Sequence, residues 1–312
     1  MAAVRIVIVN WNSGLWLGRC LASIAAHGGD AVERVVVVDN GSTDGSLDVA
    51  VPGLELEIIR TGANLGFGKA CNLGAAGATT PYLLFLNPDA ALHEGTLAAA
   101  LAFMESVEGA GAGVCGIRLV GEDGATQKHC ARLPGARSFI GAATGLGSLL
   151  PRLFPPIPLT EFDHETSRPV DHVIGAFYLI RRSLFEALGG FDERFFVYLE
   201  DLDLSRRVHA SGAAIWYRAD ATAFHKGGGT SEQVKARRLY YALSSRLLYA
   251  GKHLRFGGAL SVALATLLAE PFARLLRALV RLSPREAGAT LHAYGLLWLA
   301  LPRVVRGKRV RP

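Results

Sequence analysis

Four short apolar runs in the first 90 residues, at 4–9, 35–38, Leu56–Arg60 and Tyr82–Leu86, restrict this chain more than any other feature. The last, Tyr82-Leu83-Leu84-Phe85-Leu86, is too short for a helix of its own and reads as a strand buried on both faces. Between the runs, apolar residues return at helical spacing: Leu15, Leu17, Leu21 and Ile24 precede a stop at His27-Gly28-Gly29. Strands alternating with helices predict an α/β fold with a mostly parallel, doubly wound sheet. Such sheets bind ligands at the carboxyl ends of their strands, so the residues ending each run are the ones to read.

Those ends are polar. Asn10-Trp11-Asn12-Ser13 ends the first run, and Asp39-Asn40-Gly41-Ser42-Thr43-Asp44-Gly45 ends the second, joining an acid to turn residues and hydroxyls. Asn64-Leu65-Gly66-Phe67-Gly68-Lys69 precedes a small-residue helix expected at 70–78. Glycines there let backbone amides approach an anion and Lys69 adds positive charge, although an ordinary strand-to-helix turn reads the same way. Asn87-Pro88-Asp89 ends the fourth run, because Pro88 cannot donate to a ladder. Asp89 has no basic neighbour in sequence and is a candidate ligand for a hard divalent cation that would hold a diphosphate. The plainer account is a strand-ending turn made of turn-forming residues.

Farther on, the pattern predicts a helix at 95–107, a strand at 113–120 and an exposed turn or hairpin at 121–132. The Gly- and Pro-rich stretch 133–169 is expected to be a mobile lid or acceptor loop. A buried strand at 170–180 and a helix at 182–188 follow. Glu200-Asp201-Leu202-Asp203 comes next, ahead of Ser205-Arg206-Arg207. If Asp201 opens a helix, the acids of that turn sit well in its dipole, with Leu202 toward the core and Asp201 toward a cleft as a base. Glu200 and Asp203 also suit a solvated face, and Asp203 has Arg206 and Arg207 at helical spacing. A strand is expected at 214–217. A lone histidine is more often structural than a metal ligand, but His225 ends another apolar run before Gly227-Gly228-Gly229-Thr230, a setting that raises the metal reading above its usual prior.

Taken in order, these motifs resemble an inverting glycosyltransferase of family 2 with the GT-A nucleotide-sugar-binding fold. The resemblance covers residues 4 to 235, so 1–235 is expected as the catalytic domain and 236–312 as a helical, basic extension. It implies that Asn10, Asn12, Asp39, Gly41, Ser42, Asn64, Gly66, Lys69 and Asn87 surround the nucleotide sugar. Asn87 stands where this fold usually carries the first acid of Asp-x-Asp, which leaves Asp89 as direct ligand, with His225, for Mg2+ or Mn2+. Asp201 matches the general base, and Glu200, Asp203 and Arg206 are candidate supporting residues. Asn-Pro-Asp, with Asp123-Gly124-Ala125-Thr126-Gln127 and Arg132-Leu133-Pro134, is also similar to rhamnosyltransferases. That similarity implies a dTDP-rhamnose donor and a lipid-linked or cell-surface polysaccharide acceptor. A UDP-sugar-dependent galactofuranosyl or hexosyl transferase is the rival, and a non-catalytic nucleotide-sugar-binding subunit a weaker one. A nicotinamide-dependent oxidoreductase is disfavoured, since Asn-Trp-Asn-Ser replaces the glycine-rich turn such folds need.

Charge separates the last segment from the rest. The chain carries +6, but from Pro271 onward Arg274, Arg277, Arg281, Arg285, Arg303, Arg306, Lys308, Arg309 and Arg311 face the single acid Glu286. Apolar runs at 259–269 and 289–301 read as too short to span a bilayer, the first being interrupted by Glu270-Pro271. Arg274, Arg277, Arg281 and Arg285 are expected as one stripe of an amphipathic helix on an anionic membrane surface. A helical pair packed on the catalytic domain or on another subunit, as in a homo-oligomer, is the alternative. The tail lacks interleaved aromatics, so nucleic acid is not an expected partner. The N-terminus enters a strand at once, which argues against a secretory signal and for the cytoplasmic side of the membrane. Cys20, Cys71, Cys115 and Cys130 are scattered and fit neither a disulfide frame nor a zinc site.

Overall fold

The computed structural model describes residues 3–49, 51–227 and 235–308. Gly228, Gly229 and Thr230 of the expected glycine loop, and Arg309 and Arg311 of the basic tail, lie outside the described residues. The elements run β1 (Val4–Asn10), α1 (Trp16–His27), β2 (Val32–Asp39), β3 (Leu56–Arg60), α2 (Phe67–Ala75), β4 (Tyr82–Leu86), β5 (Ala90–Leu92), α3 (Thr96–Glu105) and β6 (Ala112–Val120). Then come α4 (Ala136–Thr144), α5 (Leu146–Leu149), β7 (Arg168–Val170), β8 (Phe177–Arg181), α6 (Arg182–Ala187), α7 (Glu200–Ala210) and β9 (Ala214–His225). Four more helices follow: α8 (Lys235–His253), α9 (Phe256–Leu264), α10 (Glu270–Val280) and α11 (Pro284–Val305), with a π-turn at Ala265–Ala269 between α9 and α10.

The strands form a mixed sheet in the order β3-β2-β1-β4-β8-β6-β9-β5, with β7 on β9. Strands β3, β2, β1 and β4 are parallel, as expected, and β6 and β9 run the same way. Strands β8, β5 and β7 run against them. Every residue of β1 and β4 is buried because helices cover both faces. Ile6, Ile8, Val35, Val37 and Leu84 pack with Leu17, Leu21 and Ile24 of α1 and with α3. Val7, Val36, Val38, Leu83 and Phe85 pack on the other side with Ala70 and Cys71 of α2, Phe185 of α6 and Leu204 of α7. The four cysteines are buried, and burial holds the thiols of Cys20, Cys115 and Cys130 far above the usual range.

Five expectations need correction. The stretch 133–169 is not without structure: α4 and α5 form within it. Residues 170–180 are not one strand, because β7 ends at Val170 and a turn through Gly175 and Ala176 precedes β8. Strand β9 is a single element that runs through 214–225, across a shift in register between Ile117 and Arg118 of β6. Glu270-Pro271 does not interrupt the apolar run at 259–269: the π-turn at Ala265–Ala269 leads directly into α10, and one helix runs from Phe256 to Val280 with Pro271 inside it. Those 25 residues are long and apolar enough to cross a membrane by length and composition. The four-arginine stripe is divided, since α10 ends at Val280, Arg281 caps it and Arg285 belongs to α11.

The chain divides into two compact units. One holds Met1–Ala131, Leu159–Asp192 and Asp201–Thr230; the other holds Arg132–Pro158, Glu193–Glu200 and Ser231–Pro312. The second therefore includes more than the expected extension, drawing in α4 and α5 beside α8 to α11. In it α8 packs on α11 and α9, and α4 on α9 and α10.

Candidate functional site

Register sets Asn10 and Asp39 side by side at the carboxyl ends of β1 and β2. Asn10 is fully buried; its Nδ2 donates to Asp39 Oδ1 at 3.1 Å, Ser42 Oγ at 3.0 Å and Ser46 Oγ at 2.9 Å. Ser13 donates to Asn10 Oδ1. Asp39, 4% exposed, accepts from the Ser42 amide through both oxygens at 3.3 Å. These two residues lie beneath the loop and shape it, rather than lining an open pocket. Asn12 and Ser42 are half-buried above them: the Asn12 amide donates to Ser42 Oγ at 3.0 Å and the Thr43 amide to Asn12 Oδ1 at 2.8 Å. Gly41 takes φ 79°, and a Cβ there would meet the Ala63 backbone at 3.1 Å, so glycine is required where the two loops cross.

Asn40 ties this loop to the next. Its Nδ2 donates to Gly66 O at 3.3 Å and its Oδ1 accepts from the Leu65 amide at 3.3 Å. Gly66 precedes α2 with φ 78°, and its amide donates to Asn64 Oδ1 at 2.9 Å. The first amides of α2 thus open at the sheet edge, with Lys69 half-buried in the first turn.

Asn87 and Asp89 follow β4, both half-buried. The Asn87 amide donates to Ala176 O at 3.1 Å, and the neighbouring Gly175 amide donates to Asp201 Oδ2 at 3.2 Å. Two consecutive residues of one turn therefore hold the Asn-Pro-Asp segment and Asp201. A Cβ on Gly175 would lie 3.6 Å from the Phe67 ring and 3.8 Å from Asp201 Oδ2, which brings the start of α2 to the same place.

Strand β5 was not anticipated, and it matters: Ala90 pairs with His225 and fixes the end of β9 against Asp89. His225 Nε2 lies 3.5 Å from Asp89 Oδ1. Its other nitrogen, Nδ1, is 2.8 Å from Gln127 Oε1, and Gln127 Nε2 donates to His225 O at 2.6 Å. Gln127 so fixes the orientation of the ring, with Nδ1 toward its own Oε1 and Nε2 toward Asp89. Among the described residues no three His, Cys, Asp or Glu side chains gather as a metal cluster. Two converging ligands fit a hard cation that completes its shell with phosphate oxygens and water. Beside them Trp16 stacks on Phe224 at 5.7 Å with Lys226 Nζ 4.6 Å above its ring.

Asp201 lies in the first turn of α7, its side chain 20% exposed. The two residues before the helix, Tyr198 and Leu199, take φ 69° and 63°, a strained pair of backbones that sets where α7 begins. Behind Asp201 Oδ2, His172 Nε2 stands 3.7 Å away. Burial holds the His172 pKa below its usual value against the opposing pull of Asp201. The neutral ring contacts Ser205 Oγ through Nδ1 at 2.8 Å, and Ser205 meets Tyr178 OH at 3.2 Å. Asp203 points elsewhere: fully buried, it accepts from Arg207 Nε at 2.8 Å, so its support is structural. Glu200 is buried and Arg206 half-buried.

The family model described as glycosyl transferase family 2 matches residues 5–189. The chain is 32% identical over 269 residues to N-acetylglucosaminyl-diphospho-decaprenol L-rhamnosyltransferase of Mycobacterium tuberculosis, covering 80% of this chain and 84% of that protein. It is 26% identical to rhamnosyltransferase WbbL of Escherichia coli, over 79% and 92% of the two chains. Among solved structures it is similar to the mannosyltransferase PcManGT of Pyrobaculum calidifontis in complex with GDP-Man and Mn2+, with TM-score 0.54, 21% identity and coverage of 97% and 81%. Residues 1–349 of TarS from S. aureus align with TM-score 0.51 and 16% identity over 99% and 93%. These structural likenesses carry the GT-A fold.

Proposed function

Because the chain belongs to glycosyl transferase family 2, we propose that it transfers rhamnose from dTDP-rhamnose, with inversion, to a lipid-linked sugar acceptor at the cytoplasmic face of a membrane. The observation that carries this reading is the shared turn: Gly175 holds Asp201 while Ala176 holds Asn87, beside the Asp89–His225 pair. The donor and the lipid-linked acceptor are supported by the named relatives, two of which are rhamnosyltransferases.

The Asn12–Ser42 loop and Asn64–Gly66 receive the nucleoside, while Asn10 and Asp39 keep that loop in shape. The α2 amides, Lys69 and Lys226 face the diphosphate. Asp89 and His225 would hold Mg2+ or Mn2+, which when bound neutralises charge on the departing nucleoside diphosphate. Asp201 accepts the proton of the acceptor hydroxyl as that oxygen bonds to the anomeric carbon and the bond to the diphosphate oxygen breaks. A single displacement from the opposite face inverts configuration. His172 keeps the carboxylate oriented from behind without competing for the proton, since burial leaves it neutral.

A thermal-shift panel of nucleotide sugars, each with Mn2+ and with EDTA, tests the reading, because a ligand of the folded state raises its apparent stability. The expected result is a shift with dTDP-rhamnose that EDTA removes. A shift confined to a UDP-sugar would replace the donor, and no shift with any nucleotide sugar would overturn the site.

A further inference from the structure

The continuous helix Phe256–Val280 carries two rows of residues with opposite surroundings. Val262, Thr266, Glu270 and Ala278 are buried, whereas Phe256, Leu260, Leu264, Leu268, Phe272 and Leu276 are exposed, Phe256 at 83% and Phe272 at 74%. The exposed row advances by four residues at each step. In a pure α-helix that step overshoots one turn by about 40°, so five steps would carry the row to the opposite side. The π-turn at Ala265–Ala269 adds one residue to its turn and rotates the face back by about 100°. The apolar row is thereby kept on one side for the whole length of the helix.

The other side is fastened to the chain. Glu270 is 1% exposed and accepts from Arg246 of α8 and from Arg274 Nε at 2.8 Å. Tyr294 OH of α11 donates to Thr266 O at 2.9 Å. Crossing a bilayer would draw the Arg246–Glu270 contact, and with it the charged helix α8, into hydrocarbon, where such charges are costly. Exposed arginines frame the apolar row: Arg255 precedes it, and Arg277 and Arg281 stand at its end. A second copy packed on the row with two-fold symmetry would set arginine against arginine. An anionic surface would neutralise both ends.

We propose that this row is a membrane-docking face. The helix lies in the plane of an anionic phospholipid surface, its apolar row immersed along 256–276 and Arg277 and Arg281 reaching the phosphates, and it does not span. This deepens the membrane part of the reading above and stands apart from its chemistry, since vesicle binding needs neither donor nor acceptor.

The full chain is floated with phosphatidylcholine–phosphatidylglycerol vesicles and with phosphatidylcholine alone, then washed with alkaline carbonate. The protein is expected to float with the anionic vesicles and to be released by carbonate. Leu264→Glu with Leu268→Glu, two exposed positions whose folding is checked by Tm, should weaken partition about 100-fold or more. Arg277→Gln with Arg281→Gln should remove the preference for anionic vesicles. Wild-type protein that stays at the bottom, a Leu264/Leu268 variant that floats equally well, or resistance to carbonate would each overturn the proposal. So would light scattering in which the wild type is a dimer and that variant a monomer, which would assign the row to a second copy.

Discussion

At the scale of single residues, the carboxylates of this site differ in what already occupies them. Asp39 and Asp203 are buried and committed to partners, while Asp89 and Asp201 keep part of their surface open. Asp201 accepts from the Gly175 amide through Oδ2 and from the Leu202 amide through Oδ1; asparagine keeps one of these bonds, and the residues proposed to hold the donor lie on other elements. Asp201→Asn should therefore keep donor affinity within about twofold while kcat falls roughly 10²–10⁴-fold. Calorimetric donor binding beside a steady-state assay checks this, and normal turnover would remove Asp201 as base. Gln127 touches no substrate in this reading, yet it orients His225. Gln127→Leu should weaken Mn2+-dependent donor binding about 10–100-fold, and Asp89→Ala should abolish the metal-dependent part; a titration insensitive to both would move the ligands elsewhere.

At the scale of elements, the parallel half of the sheet was legible because its strands are short, apolar and ended by polar turns. Leu56–Arg60 and Tyr82–Leu86 match their predicted bounds, and Asp201 does lie in a first helical turn. What sequence could not reveal depends on partners distant along the chain. Three-residue β5 exists only because β9 pairs with it, and the Gly175–Ala176 turn is defined by Asn87 and Asp201, far off in sequence. Gln127 offered a signal only as part of a motif, since its hydrogen bonds to His225 span 98 residues. The small-residue helix was a truer clue: Gly74 of α2 lets the helix approach the sheet, and a Cβ there would fall 2.5 Å from Val7 Cγ1 and 3.0 Å from Val38 Cγ2. Both are stiff β-branched side chains inside the sheet. Gly74→Ala gains about 1 kcal/mol of helix propensity against about 1–3 kcal/mol of overpacking. A Tm lowered by a few degrees is the expected outcome, and a raised Tm would show that α2 shifts freely.

At the scale of the molecule, acid stability follows from histidines that the proposed chemistry does not protonate. His129 and His164 flank Tyr217, with ring centroids 5.6 Å and 5.1 Å from it, and His172 stands behind Asp201. All three pKa values are lowered mainly by burial, His129 to about 3. The native state thus holds these rings neutral where the unfolded chain, titrating near 6.5, takes up protons. Between those values the unfolded state binds more protons, so stability rises with pH and is lost as pH falls below about 6.5. Each such ring costs up to about 1.4 kcal/mol per pH unit through that window. Denaturant unfolding from pH 7.5 to 5 should show stability nearly flat above 7 and falling steeply below 6.5. In His129→Gln the slope should be shallower by about one proton, whatever the variant's stability at pH 7.5, because the ring that had to titrate is gone. An unchanged slope would mean that His129 takes up its proton without unfolding, and that the cluster around Tyr217 opens to water in the native state.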